Sequence, residues 1–189
     1  MPLLVRRLCA ALVLACVLVS GRAGSEPLPV TLQADLLVKL AGYDRNMRAR
    51  AGSQLRIVLV TRSSDDDARW AAQMRAVLAH SERIAGLPHA ESTVRFTRAD
   101  KLAATCKAEQ IAIVVLSPSL IGEGEHIRTA FDDADVLTVA PSQELVKHGV
   151  VLGFELVSGK PKLFFNLPQA IRQHVAISAE VLKLMTVYQ

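Results

Sequence analysis

The 189 residues carry 22 lysines and arginines against 18 aspartates and glutamates, a formal charge of +4, and 51% of them are hydrophobic. That length suits one domain with a sizeable core, and nothing marks a second. Arg6, Arg7 and Arg22 all precede residue 26; without them 19 basic residues face 18 acidic ones, which removes the main support for a nucleic-acid or anionic-surface partner.

The first 25 residues differ from the rest. Arg6 and Arg7 form a basic stretch, and residues 8–20 are an apolar run too short for the roughly 20 residues that span a bilayer. Small residues follow at Gly21, Ala23, Gly24 and Ser25, so residues 1–25 read as a cleaved secretory signal and 26–189 as the mature domain. The run Val13-Leu14-Ala15-Cys16 is a poor lipoprotein box, because the apolar run continues past Cys16. Cys9 and Cys16 leave with the signal, and Cys106 remains. A single cysteine cannot form an internal disulfide; it is either a buried small hydrophobe, the preferred reading, or a bridge between two copies.

A helix is expected from Thr31 as cap, with Leu32, Leu36, Leu40, Tyr43 and Met47 as its apolar stripe and Gly52 as its stop. Arg45, Arg48 and Arg50 crowd its last turn, where cations favour the dipole; read otherwise, they and Tyr43 belong to a partner surface. Residues 55–61 (LRIVLVT) form a strand buried on both faces. Asp65, Asp66 and Asp67 precede a helix over 68–84, placed there by its dipole rather than by a cation. A second strand is expected over 92–97, a helix over 99–109, a third strand over 111–116 and a fourth over 136–140.

The last forty residues hold a strand over 150–157, a turn on Ser158-Gly159-Lys160, a strand over 161–166 and helical sequence to the end. Gly153 and Gly159 are marked as structural positions. Asn166 should tie down the turn before Pro168, and Ser178 should cap a helix carrying Val181, Leu182, Leu184 and Met185. Strands alternating with helices give a three-layer α/β domain: a mainly parallel sheet flanked by helices, with a C-terminal antiparallel hairpin.

Ligands of such domains bind past the C-terminal strand ends, here 61–64, 117–119 and 140–142. Ser117, Ser119, Glu123 and His126 are the candidate pocket, with ordinary caps and turns as the alternative for the serines. The segment 122–126 (GEGEH) lacks the lysine of a phosphate loop and the second histidine of a zinc helix. No G-x-S-x-G elbow occurs, and no catalytic residue, cofactor or metal site is assigned.

The C-terminal residues carry a family resemblance: Gly153-Phe154-Glu155-Leu156, Ser158-Gly159-Lys160, Phe164-Phe165-Asn166-Leu167, Ala170, and the tail from Ile177 to Leu184, with Val136-Leu137-Thr138-Val139 and Gly149 upstream. This pattern resembles the YfiR-like family of periplasmic proteins, most clearly from residue 111 onward. The resemblance implies a regulatory binding protein rather than an enzyme: a repressor that docks on the periplasmic sensory domain of a membrane diguanylate cyclase in cyclic-di-GMP signalling. It also implies sequestration by an outer-membrane lipoprotein, and homodimers. Family members often carry cysteine pairs and an aromatic segment ending in Trp-Pro near residue 43. This chain has neither and keeps Tyr43. The competing reading is a periplasmic small-ligand receptor using the strand-end pocket; a hydrolase would need a nucleophile and a base in contact there.

Overall fold

The computed structural model describes residues 28–189; the signal and lipoprotein-box readings lie outside the described residues. Helix α1 (Val30–Ala41) is followed by a short α2 (Met47–Ala51), strand β1 (Leu55–Thr61), α3 (Asp65–Leu78), β2 (His89–Arg95), α4 (Ala99–Ala108) and β3 (Ile113–Leu116). A 3₁₀ turn (Pro118–Glu123) leads into α5 (Gly124–Ala130), β4 (Leu137–Ala140), α6 (Gln143–Lys147), β5 (Leu152–Val157) and β6 (Lys160–Asn166). The chain then forms α7 (Leu167–Arg172), α8 (Ala179–Leu182) and β7 (Thr186–Tyr188).

The seven strands form one sheet in the order β2-β1-β3-β4-β5-β6-β7. Strands β1 to β5 run parallel, β6 is antiparallel to β5, and β7 is parallel to β6. Period-two alternation splits the apolar runs between two cores: Ile57, Leu59, Ile113 and Val115 face α1 and α3, while Val58, Val60, Val114 and Leu116 face α4 and α5. The three-layer α/β domain with an antiparallel hairpin is therefore what forms. Helix α3 covers one face on the way from β1 to β2 and α4 covers the other on the way back to β3, so the winding reverses between β1 and β3.

Ser158 and Gly159 turn the hairpin with φ of 52° and 71°, two left-handed residues in succession. That is the turn whose twist matches paired strands, and glycine adopts it without steric penalty. Asn166 then does more than end a strand. Its Oδ1 accepts from the backbone N of Gln169 at 3.0 Å and caps α7, while Nδ2 donates to Val146 O at 2.7 Å near the end of α6. Asn166→Ala removes both bonds at a buried site and should lower stability by about 1–2 kcal/mol. An unchanged thermal midpoint would refute that role.

The N- and C-terminal expectations need correction. The first helix is capped at Pro29 rather than Thr31 and stops at Ala41, and Met47 begins a separate turn of helix. The residues between carry Asp44, whose side chain is fully buried against Arg50 at 2.6 Å. Arg50 is therefore an internal ion-pair partner and not part of a solvated helix end. After Ser178 the helix lasts one turn, and residues 186–188 add a strand beside β6. Ser178 occupies the cap position, but its buried Oγ has no hydrogen-bond partner. Leu184, expected on an apolar helix face, is exposed.

Candidate functional site

The winding reversal should open a crevice beyond the ends of β1 and β3, but side chains fill it from within. Ser64 caps α3 by accepting from the backbone N of Asp67 at 3.1 Å, which turns the Asp67 carboxylate back over the strand ends. There its Oδ2 accepts from the backbone N of Arg62 at 2.5 Å and from Ser119 Oγ at 2.7 Å. Ser119 Oγ lies 2.9 Å from Ser117 Oγ, and Ser117 is fully buried. Asp67 is itself buried, so this set of bonds closes the crevice.

Outside it lies a layer held by Arg62. Its guanidinium donates to Ser119 O at 3.2 Å and to Glu123 Oε1 at 2.5 Å, and sits 5.8 Å above the Phe96 ring. Glu123 Oε2 is 3.0 Å from His126 Nδ1. The His126 bond, reinforced by Arg62, holds the Glu123 carboxyl below the usual carboxylate range. These side chains, with Arg98 and Asp100, line a groove of about 540 Å³. The four candidate pocket residues therefore divide: Glu123 and His126 line the groove, whereas Ser119 bonds Asp67, Ser117 bonds Ser119, and neither serine is among its walls.

Chemically the groove is open and its walls carry both signs of charge, Arg62 beside Glu123 and Arg98 beside Asp100. Ser119 and Asp67 are a hydroxyl and a carboxylate in contact, but no imidazole stands between them. A carboxylate is a much weaker base than imidazole, and this one is engaged as a double acceptor. Among the described residues no group of three or more histidine, cysteine or acidic side chains could hold a metal ion.

Asp67, Arg62 and Phe96 are what the sequence reading missed. A signal for Asp67 existed: Ser64 and Asp67 stand three apart at a helix start, the spacing of a capping box, whose acidic side chain turns back toward the preceding chain. Neither Arg62 nor Phe96 has a local signal, since each matters only because β1 and β2 are neighbours.

A second surface lies where the first helix meets the C-terminal segment. The loop from Tyr43 to Arg45 is joined to residues 176–178 by Arg45 N to Ala176 O at 3.0 Å and Ser178 N to Tyr43 O at 3.3 Å. Tyr43 is 51% exposed and Leu184 74%. Arg45 and Arg48, which follow Tyr43 closely in the chain, are exposed as well.

Cys106 is buried on α4, and desolvation pushes its thiol up to about 12, aided by Glu109. Because the thiolate is the nucleophile, the folded protein should react far more slowly with a thiol reagent than the unfolded chain. Cys106→Ser should then change stability equally under reducing and oxidising conditions; a redox-dependent difference would show a bridge between copies.

A doubly wound α/β domain with a filled strand-end crevice is the class these features define. The same fold recurs in an ABC domain in complex with L-Trp from Streptococcus pneumonia, with a TM-score of 0.59, 13% identity, and coverage of 82% of this chain and 59% of that one. It recurs in a conserved domain protein from Vibrio cholerae (0.56, 15%, 85% and 60%). CD0873, a substrate-binding protein with adhesive properties from Clostridium difficile, is similar in its ligand-free, open structure (0.57, 8%, 82% and 59%). The chain spans about three fifths of the length of these structures. No curated protein sequence matches it. The YfiR/HmsC-like family (DUF4154) matches residues 31–186, and the chain belongs to that family.

Proposed function

We propose that the protein is a periplasmic regulator that acts by binding other proteins, exported through a signal cleaved after residue 25 and acting as the single domain 26–189. Its target is the periplasmic domain of a membrane sensor, most specifically a diguanylate cyclase. The observation that carries this is the contrast between its two surfaces. The strand-end serines are engaged by each other and by Asp67, while Tyr43 stays exposed on a loop hydrogen-bonded to residues 176–178 and Leu184 stays exposed a short distance further along that C-terminal stretch. Membership of the YfiR/HmsC-like family supports the same reading. Regulation is then stoichiometric: binding shifts the cyclase only by its differential affinity for the two cyclase states. Sequestration by an outer-membrane lipoprotein and a homodimeric state complete the proposal.

The test is a pull-down of residues 26–189 from membrane extract of the source cells, with mass spectrometry, repeated with Tyr43→Ala and Leu184→Ala together. Recovery of a cyclase or another membrane sensor by the parent chain, lost in the double variant, is the expected result. A co-purifying small molecule without any protein partner would overturn it in favour of a small-ligand receptor built on the Glu123 and His126 groove.

A further inference from the structure

Beyond α5 from the strand-end groove, a pocket of about 300 Å³ opens between α5, α6, α7 and β7. Three cations line it: Arg128 from α5, Lys147 from α6 and Arg172 from α7, with Gln169, Tyr188 and Gln189 beside them. No aspartate or glutamate side chain lines this pocket, whereas each of the other charged pockets mixes both signs. Three separate helices each deliver one positive group to the same cleft.

Two of the three cations have partners at the surface. Arg128 reaches Glu125 at 2.7 Å, but both side chains are about half exposed, and Glu125 is shared with His148. Arg172 is 3.7 Å from Asp132, again in the open. Lys147 forms no ion pair among the described residues. Exposed pairs of this kind contribute little and exchange readily. With Arg128 and Arg172 held only by exchangeable surface partners and Lys147 by none among the described residues, an anion placed in the cleft is attracted by all three.

The frame around the charges is fixed. Asn166 ties α7 to the end of α6 through Gln169 N and Val146 O, and buried Gln169 leans its amide toward Arg128 O at 3.5 Å. That amide bond is long, so the group is available as a further donor.

We propose that this pocket binds a small solute bearing an oxyanion, a phosphate or a carboxylate. The guanidinium groups of Arg128 and Arg172 supply planar paired donors, and Lys147 supplies a point charge. The volume, at the low end for ligand pockets, restricts the occupant to a small molecule.

The test is an amide NMR titration of the folded chain with inorganic phosphate and, separately, with succinate, at an ionic strength held constant with chloride. Saturating shifts at Arg128, Lys147, Gln169 and Arg172 in the low-millimolar range are expected with at least one of the two, and whichever saturates names the oxyanion. The double variant Lys147→Gln, Arg172→Gln should bind at least tenfold more weakly. Arg172→Lys, which keeps the charge, should bind within a few-fold of the parent chain, and Arg98→Gln in the strand-end groove should bind like the parent. Shifts that never saturate with either anion would overturn the proposal. So would an equal weakening by Arg98→Gln, which would mean general screening rather than a site.

Discussion

Arg50→Ala should lower the free energy of unfolding by about 3–5 kcal/mol, the loss typical of breaking a buried ion pair on one side. Arg50 holds three elements at once. Its Nη1 reaches Asp44 at 2.6 Å, Nε reaches Asp135 at 2.8 Å, and Nη2 donates to His174 O at 3.0 Å. The Arg50 and Asp44 side chains are almost wholly buried, whereas Asp135 is mostly exposed. Removing the guanidinium leaves the Asp44 carboxylate in the interior with only the backbone donors of Asn46 and Ala176. Replacing Asp135 with alanine should cost far less, because water can take its place beside Arg50. Urea denaturation of the two variants measures both values. Equal, small losses would mean that the buried pair adds no more than an exposed one.

Gly153→Ala should cost about 3 kcal/mol, at the upper end of the range for overpacking, without any change of backbone sign. A β-carbon at residue 153 would stand 2.4 Å from Val146 Cγ2 and 3.0 Å from Ser142 O. Glycine here lets α6 lie directly on β5, so the added methyl must push the helix off the sheet. Val146→Ala relieves the closer contact, and the double variant should therefore lose less than the sum of the two single losses. Strict additivity would show that the helix is not seated where the structure puts it.

The parallel sheet was readable from residues alone, because 55–61 and 111–116 are apolar on both faces and lie between helical stretches. The hairpin was readable from Ser158, Gly159 and Pro161 for the same kind of local reason. Strand β7 was not: Thr186-Val187-Tyr188 is three residues long, follows a helical pattern, and becomes a strand only because β6 offers a free edge. Arg50 reads locally as part of a polar helix end, since no local pattern shows that Asp44, Asp135 and residues 174–176 will close over it. The same limit hid the candidate site. Ser117 and Ser119 were placed correctly at a strand end, but their direction depends on Asp67, some fifty residues earlier in the chain. The cationic pocket draws single residues from three helices and so leaves no mark on any one of them.

Arg50 and Asp44 also set the order in which the molecule can be completed. Their partners at His174 O and Ala176 N lie 124 and 132 residues further along the chain. Until those last residues are folded back, the link after α1 holds an ion pair without its His174 and Ala176 backbone partners. Closing so long a loop is slow, because its entropy is lost before the contacts repay it. The segment that carries Tyr43 is therefore completed only when residues 174–178 join it. A chain cut short before residue 174 would keep much of its parallel sheet and still not complete that segment.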